Sequence, residues 1–177
     1  MAGIKQPQKK LNHTLNYITK LLIQYKITNW FIAYGTLLGI IRNGTCIDSD
    51  DDVDIVCDRV DFERIHKVLK AHNIPVTYNY GIGKSNKIIK TVKTDVFTSI
   101  DFYCATVDTD GHFHDDWENV IWTNCYIPKT KYLPSIKWNT IWLPVPNNYV
   151  QKLKNRYGKN WKIPQNTKGP MPRKRHL

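Results

Sequence analysis

Near the start of the chain Leu11, Leu15, Ile18, Leu22 and Tyr25 recur at helical spacing and predict one amphipathic helix. Trp30-Phe31-Ile32-Ala33-Tyr34 is a short apolar run suited to a buried strand. Gly35-Thr36 follows, then a short helix over Leu37 to Arg42, closed by the turn pair Asn43-Gly44. The next strand alternates, placing Asp50, Asp52 and Asp54 on one face and Val53, Ile55 and Cys57 on the other. Asp61 is a suitable N-cap for a helix running to about His72, with Phe62, Ile65, Val68 and Leu69 inward. Asn73 and Pro75 end it. Val76 to Tyr80 and Lys87 to Val92 predict a hairpin around Gly81-Ile82-Gly83, and Ser99 to Val107 a longer strand. Trp117 to Ile127 and Trp138 to Val145 read as further strands, and Asn147 to Tyr157 as a closing helix before Gly158. This order predicts an α/β (α+β) fold, a small mixed β-sheet flanked by helices.

Composition adds bounds. With 177 residues, 41% of them hydrophobic, the chain can bury one core, and no internal repeat interrupts it. One domain is expected over 1–166, followed by a basic, flexible tail over 167–177. No apolar stretch approaches the roughly 20 residues of a membrane span, and the first ten residues lack a signal-peptide core. A cytoplasmic or otherwise intracellular protein is the expectation. Cys46, Cys57, Cys104 and Cys125 lack metal-site spacing, and Cys57 and Cys104 read as core residues. His112 and His114 would share a strand face, yet they follow the turn signal Thr109-Asp110-Gly111, so a polar hairpin tip is the better reading.

Charge is unevenly placed. Residues 1–118 hold 14 Lys/Arg against all 15 Asp/Glu, whereas residues 119–177 hold 12 Lys/Arg and no acid. The whole surplus of the +11 chain therefore lies in its last third. Nucleic-acid binding is one reading of that surplus, disfavoured because only Arg173-Lys174-Arg175 forms a tight cluster. A polyphosphate donor or an anionic acceptor uses the same charge.

Seven of the fifteen acids crowd between Asp48 and Asp61. Carboxylates packed so closely repel unless a cation or shared protons relieve them. Hard oxygen ligands in a facing set, Asp50, Asp52 and Asp54, predict a site for Mg²⁺ or Mn²⁺ rather than zinc. A solvated acidic loop is the bland alternative. It leaves the preceding strand, Gly-Thr and short helix unexplained, whereas a phosphate-binding turn at Gly35 and Thr36, with Arg42 reaching inward, gives the metal a partner.

Tyr34-Gly35-Thr36-Leu37-Leu38-Gly39-Ile40-Ile41-Arg42 followed by Asp50-Asp51-Asp52-Val53-Asp54 resembles the signature of the LicD/fukutin-type transferases, within the nucleotidyltransferase-fold superfamily. Ser99-Ile100-Asp101-Phe102-Tyr103 is similar to that family's later strand with a single Asp. Tyr132-Leu133-Pro134, Val145-Pro146 and Leu153 to Gly158 are similar to its C-terminal pattern. Where the family usually carries Pro-Trp before the acidic cluster, this chain has Ile47-Asp48-Ser49. The resemblance implies transfer of a phosphoalcohol, such as phosphocholine or ribitol phosphate, from a CDP-linked donor to a glycan or glycoconjugate acceptor.

Asp101 lies between Ile100 and Phe102, and an unpaired charge inside such a strand costs several kcal/mol. It is expected either to join Asp50, Asp52 and Asp54 on the metal or to act as general base for the acceptor hydroxyl. An edge-strand Asp facing water is the structural alternative. Two other functions stand beside the transferase: a nucleotidyltransferase using an NTP on a small molecule or nucleic acid, and a non-catalytic basic binding protein. The carboxylates serve both transfers and do not choose the donor.

Overall fold

The computed structural model describes residues 4–78, 80, 83–164 and 175–177. Helix α1 (Gln8–Gln24) buries Leu11, Leu15, Ile18 and Leu22, the stripe its spacing predicts. No side chain of its own N-terminus caps it; instead Asp48 Oδ1 accepts the Gln8 N–H at 3.0 Å, from 40 residues away. Strand β1 (Trp30–Ile32) is shorter than its apolar run because helix α2 (Tyr34–Asn43) already begins at Tyr34. Gly35 and Thr36 therefore belong to the first turn of α2. Gly44, at φ 70°, closes that helix in the left-handed conformation glycine adopts without strain.

Strand β2 (Asp52–Asp58) carries the Asp alternation, with Asp50 lying just ahead of it. Helix α3 (Arg59–Ala71) is capped by Asp58, whose side chain accepts the Val60 N–H at 3.1 Å. Asp61, the residue expected to cap it, lies inside the first turn and pairs with Arg64. The cap sits three residues earlier because β2 runs directly into α3 with no loop between them.

Strand β3 (Ile88–Lys90) is the core of the expected 87–92 strand, whereas among the described residues of 76–80 only Val76 forms a bridge, to Thr91 just after β3. Gly81 and Ile82, the tip of the expected hairpin, lie outside the described residues. Strand β4 (Ser99–Val107) is the longest and occupies the centre. It pairs in parallel with β2 over its first seven residues, and its other edge pairs antiparallel with β3 and then with β5 (Phe113–Asp115). Strand β6 (Val120–Trp122) extends the sheet, giving the order β1-β2-β4-β5-β6 with β3 beside β4. The expected 117–127 strand thus contracts to three residues.

The expected strand over 138–145 is instead a hairpin of β7 (Ser135–Trp138) and β8 (Ile141–Pro144), turning at Asn139, which has φ 52°. Helix α4 (Tyr149–Tyr157) closes the described fold. At the chain's end Arg175–Leu177 run beside β6: Ile121 N–H donates to Arg175 O and Leu177 N–H to Ile121 O, and the Leu177 side chain is buried. Of the tail expected over 167–177, residues 167–174 lie outside the described residues. One apolar core spans α1, α2, α3 and both sheets, and it includes all four cysteines, none of them in a disulfide.

Candidate functional site

Parallel pairing brings the acidic strands together. Asp54 stands directly beside Asp101, and Asp52 beside Ser99, at the N-terminal ends of β2 and β4. Strand alternation puts Asp52, Asp54, Asp101 and Tyr103 on one face, while Ile55, Cys57, Phe102 and Cys104 fill the core on the other.

Asp54 is the most constrained of the set. Its Oδ2 accepts the Gly35 N–H at 3.0 Å and its Oδ1 the Tyr103 hydroxyl at 3.0 Å. Its own N–H donates to Thr36 Oγ1 at 2.8 Å. The Gly35-Thr36 turn, expected to cradle a phosphate, is therefore committed to holding Asp54. Gly35 is required there by contact: a Cβ would lie 2.6 Å from Asp50 Oδ2 and 3.3 Å from Asp54 Oδ2. Thr36 is buried and faces no solvent.

Asp50 is set by the backbone around it. Its carbonyl accepts the Gln6 N–H at 2.8 Å, and its N–H reaches Ile47 O at 3.3 Å. Carboxylate oxygens of Asp50, Asp51 and Asp52 lie within 4.8 Å of one another, a spacing compatible with a shared divalent cation. Asp51 thus joins a cluster from which strict alternation excludes it, because the chain becomes a regular strand only at Asp52.

Asp101 makes an ion pair with Lys90, directly opposite it on β3. The Asp101 side of the site thus carries its own cation. Burial raises the pKa of Asp50 to about 6. Burial, reinforced by the neighbouring carboxylates, also pushes Asp52 and Asp54 upward; for Asp54 the Tyr103 hydroxyl and Thr36 oppose the rise. Asp101 is raised by burial and held back by Lys90. Burial and mutual repulsion thus favour bound protons on these carboxylates, or a cation in their place, and Lys90 relieves Asp101 alone.

Beside Asp50 opens a cleft of about 410 Å³, lined by Gly35, Leu38, Arg42, Tyr157 and Trp161 among others. Arg42 lines this cleft from the last turn of α2, and its Nε donates to Asn43 Oδ1 at 3.3 Å.

Sequence reasoning passed over the residues that brace the turn. Tyr34 has φ 41°, a left-handed conformation that costs a side-chain-bearing residue about 1–3 kcal/mol. Its ring is gripped: the hydroxyl donates to Asp115 Oδ2 at 2.5 Å, and the Arg156 guanidinium lies 4.7 Å from the ring centroid. Arg156 is itself paired with Glu118 at 3.2 Å. The strain places Gly35 N–H on Asp54. Tyr103 was legible as a side chain on the Asp101 face. Lys90 carried no local signal, since only the β3–β4 register reveals its partner.

The second His and Asp cluster is a hairpin tip, as expected. Asp108 Oδ1 accepts the N–H groups of Asp110 and His112, and Oδ2 meets His114 Nε2 at 2.7 Å.

Comparison with known proteins agrees with this geometry. In overall shape the chain is similar to a lincosamide antibiotic adenylyltransferase bound to lincomycin, with a TM-score of 0.56, 15% identity, and 84% and 85% of the two chains covered. A Thermotoga maritima protein assigned to the nucleotidyltransferases matches with a TM-score of 0.44 at 17% identity, over 79% and 83% of the two chains. No curated protein matches the sequence. Residues 27–148, which hold the Gly-Thr turn, the acidic cluster and Asp101, match the model of the LicD/FKTN/FKRP nucleotidyltransferase domain, and the chain belongs to that transferase family.

Proposed function

We propose that this protein transfers a phosphoalcohol from a CDP-linked donor to a hydroxyl of a glycan acceptor, using Mg²⁺ or Mn²⁺. The observation that carries the reading is the convergence of the Asp50, Asp51 and Asp52 oxygens within 4.8 Å, beside a cleft large enough for a small-molecule donor. Asp50, Asp52 and Asp54 are the proposed metal ligands, with Asp51 beside them. These residues would hold a divalent ion, which would supply positive charge to the donor diphosphate.

The chain's own residues do the rest. Tyr103 and Gly35 fix the Asp54 carboxylate and Thr36 its backbone N–H, so no reorganisation is needed when a ligand arrives. Arg42 in the cleft offers a cation to the donor phosphates. Asp101, oriented by Lys90, takes the proton of the acceptor hydroxyl. The hydroxyl oxygen bonds to the distal phosphorus, the phosphorus–oxygen bond to CMP breaks, and CMP leaves with the electron pair.

The fold it shares with an adenylyltransferase supports a second reading, attack on the α-phosphorus of an NTP with release of pyrophosphate. Purified protein incubated with Mn²⁺, a CDP-alcohol or an NTP, and glycan acceptors separates the two. CMP release that disappears in Asp52→Asn supports the first reading. Pyrophosphate release supports the second, and unchanged CMP release in Asp52→Asn would refute the carboxylate assignment.

A further inference from the structure

The opposite end of β2, where Cys57 pairs with Trp30, borders a second groove that the transfer reaction does not use. Its volume is about 610 Å³. The end of α1 supplies Ile23 and Lys26, the segment before β7 supplies Lys131, Tyr132 and Leu133, and β8 supplies Trp142. Trp30 and Ile27 form a buried floor. The rim projects instead: Tyr132 is 76% exposed, Trp142 59% and Ile23 53%. Lys137 is exposed and stands directly opposite Trp142 in the β7–β8 register, so it shares the outward face.

The charge of this face has one sign. No carboxylate lines the groove, and among the described residues none of Lys26, Lys131 and Lys137 makes an ion pair. The acid-free last third of the chain contributes two of the three lysines. Projecting Trp and Tyr beside an aliphatic residue and uncompensated lysines match the chemistry of a water–lipid boundary. There amphipathic rings settle at headgroup level and lysines meet anionic headgroups.

We propose that this face docks the protein on an anionic lipid surface, without spanning it. A nucleic acid is disfavoured, because no arginine lines the groove and the aliphatic Ile23 and Leu133 suit neither bases nor phosphates. A glycan is disfavoured because the lining holds no carboxylate, and its one carboxamide, Asn29, already donates to Asp58.

The test is co-sedimentation of the full chain with phosphatidylcholine vesicles, with and without phosphatidylserine. At about 1 kcal/mol per lysine near an anionic surface, three lysines predict roughly 100-fold tighter binding to the anionic vesicles. Replacing Lys26, Lys131 and Lys137 together by Gln should abolish that preference. Trp142→Ala with Tyr132→Ala should weaken anionic-vesicle binding about tenfold or more and keep the preference. These side chains are exposed, so the variants should melt like the parent protein, which a thermal scan checks. Equal binding to both vesicles, or none, overturns the proposal. So does binding of a single-stranded oligonucleotide that the same substitutions abolish. Asp52→Asn should bind vesicles normally, so failure of the transferase reading would leave this result intact.

Discussion

Gly35→Ala separates the site from the fold. Gly35 is helical and has no positive φ, so its backbone tolerates a side chain, and alanine should gain about 0.5–1 kcal/mol over glycine in a helix. The new methyl would lie 2.6 Å from Asp50 Oδ2, closer than such contacts permit, and 3.3 Å from Asp54 Oδ2. Asp54 is pinned by three hydrogen bonds, whereas the Asp50 carboxylate accepts one, from the Asp51 N–H at 3.2 Å. Asp50 should therefore rotate away, at little cost in stability. Displacing one carboxylate from the set should weaken cation binding about 10–100-fold, the usual range for losing a supporting group at a metal site. The assay is the rise in Tm on titrating Mn²⁺, which reports binding to the native state. In chelator the variant should melt within a few degrees of the parent, or slightly above it. Its Mn²⁺-dependent rise should need 10–100-fold more metal. A variant that responds to Mn²⁺ like the parent would refute the steric reasoning and the place of Asp50 in the site.

Thr36→Val keeps the side-chain shape and removes the oxygen that accepts the Asp54 N–H. A buried N–H left unpaired costs about 1–3 kcal/mol. Urea denaturation should show that loss with an unchanged m value, and undiminished stability would exclude the bond as a structural tie. The third prediction is a pH dependence. Asp50 has its folded pKa raised, to about 6, so its contribution is fully present below the unfolded value near 4 and is lost as pH rises through 6. In chelator, Tm should fall between about pH 4 and pH 7; with millimolar Mn²⁺ that fall should shrink, because the metal replaces the proton. A Tm in chelator that climbs over this range would contradict the burial of these carboxylates.

Much of this was legible because it depended on local patterns. The α1 stripe, the apolar and acidic faces of β2, and the shared face of Asp101 and Tyr103 follow from periodicities of 3.6 and 2, which neighbours along the chain determine. Asp52, Asp54 and Asp101 consequently lie where alternation put them. The remainder was set by pairing across space. Lys90 meets Asp101 only through the β3–β4 register, and Asp48 caps α1 from 40 residues away. The role of Gly35 and Thr36 also changed, since their polar groups are spent on Asp54. The 138–145 segment shows the complementary failure. Its apolar run hides a tight turn, because Asn139 adopts positive φ without the glycine that signals one.

Parallel pairing of β2 with β4 has a consequence for the order of events in folding. The bond between Tyr103 and Asp54 spans 49 residues, and the chain of α3, β3 and their connections must loop back before it forms. Contacts of such separation form slowly, since the entropy of closing the intervening chain must be met first. The acidic face is therefore assembled late, and its mutual repulsion opposes the step that creates it. Divalent cations present during refolding should accelerate that step by acting as a template for the nascent sheet.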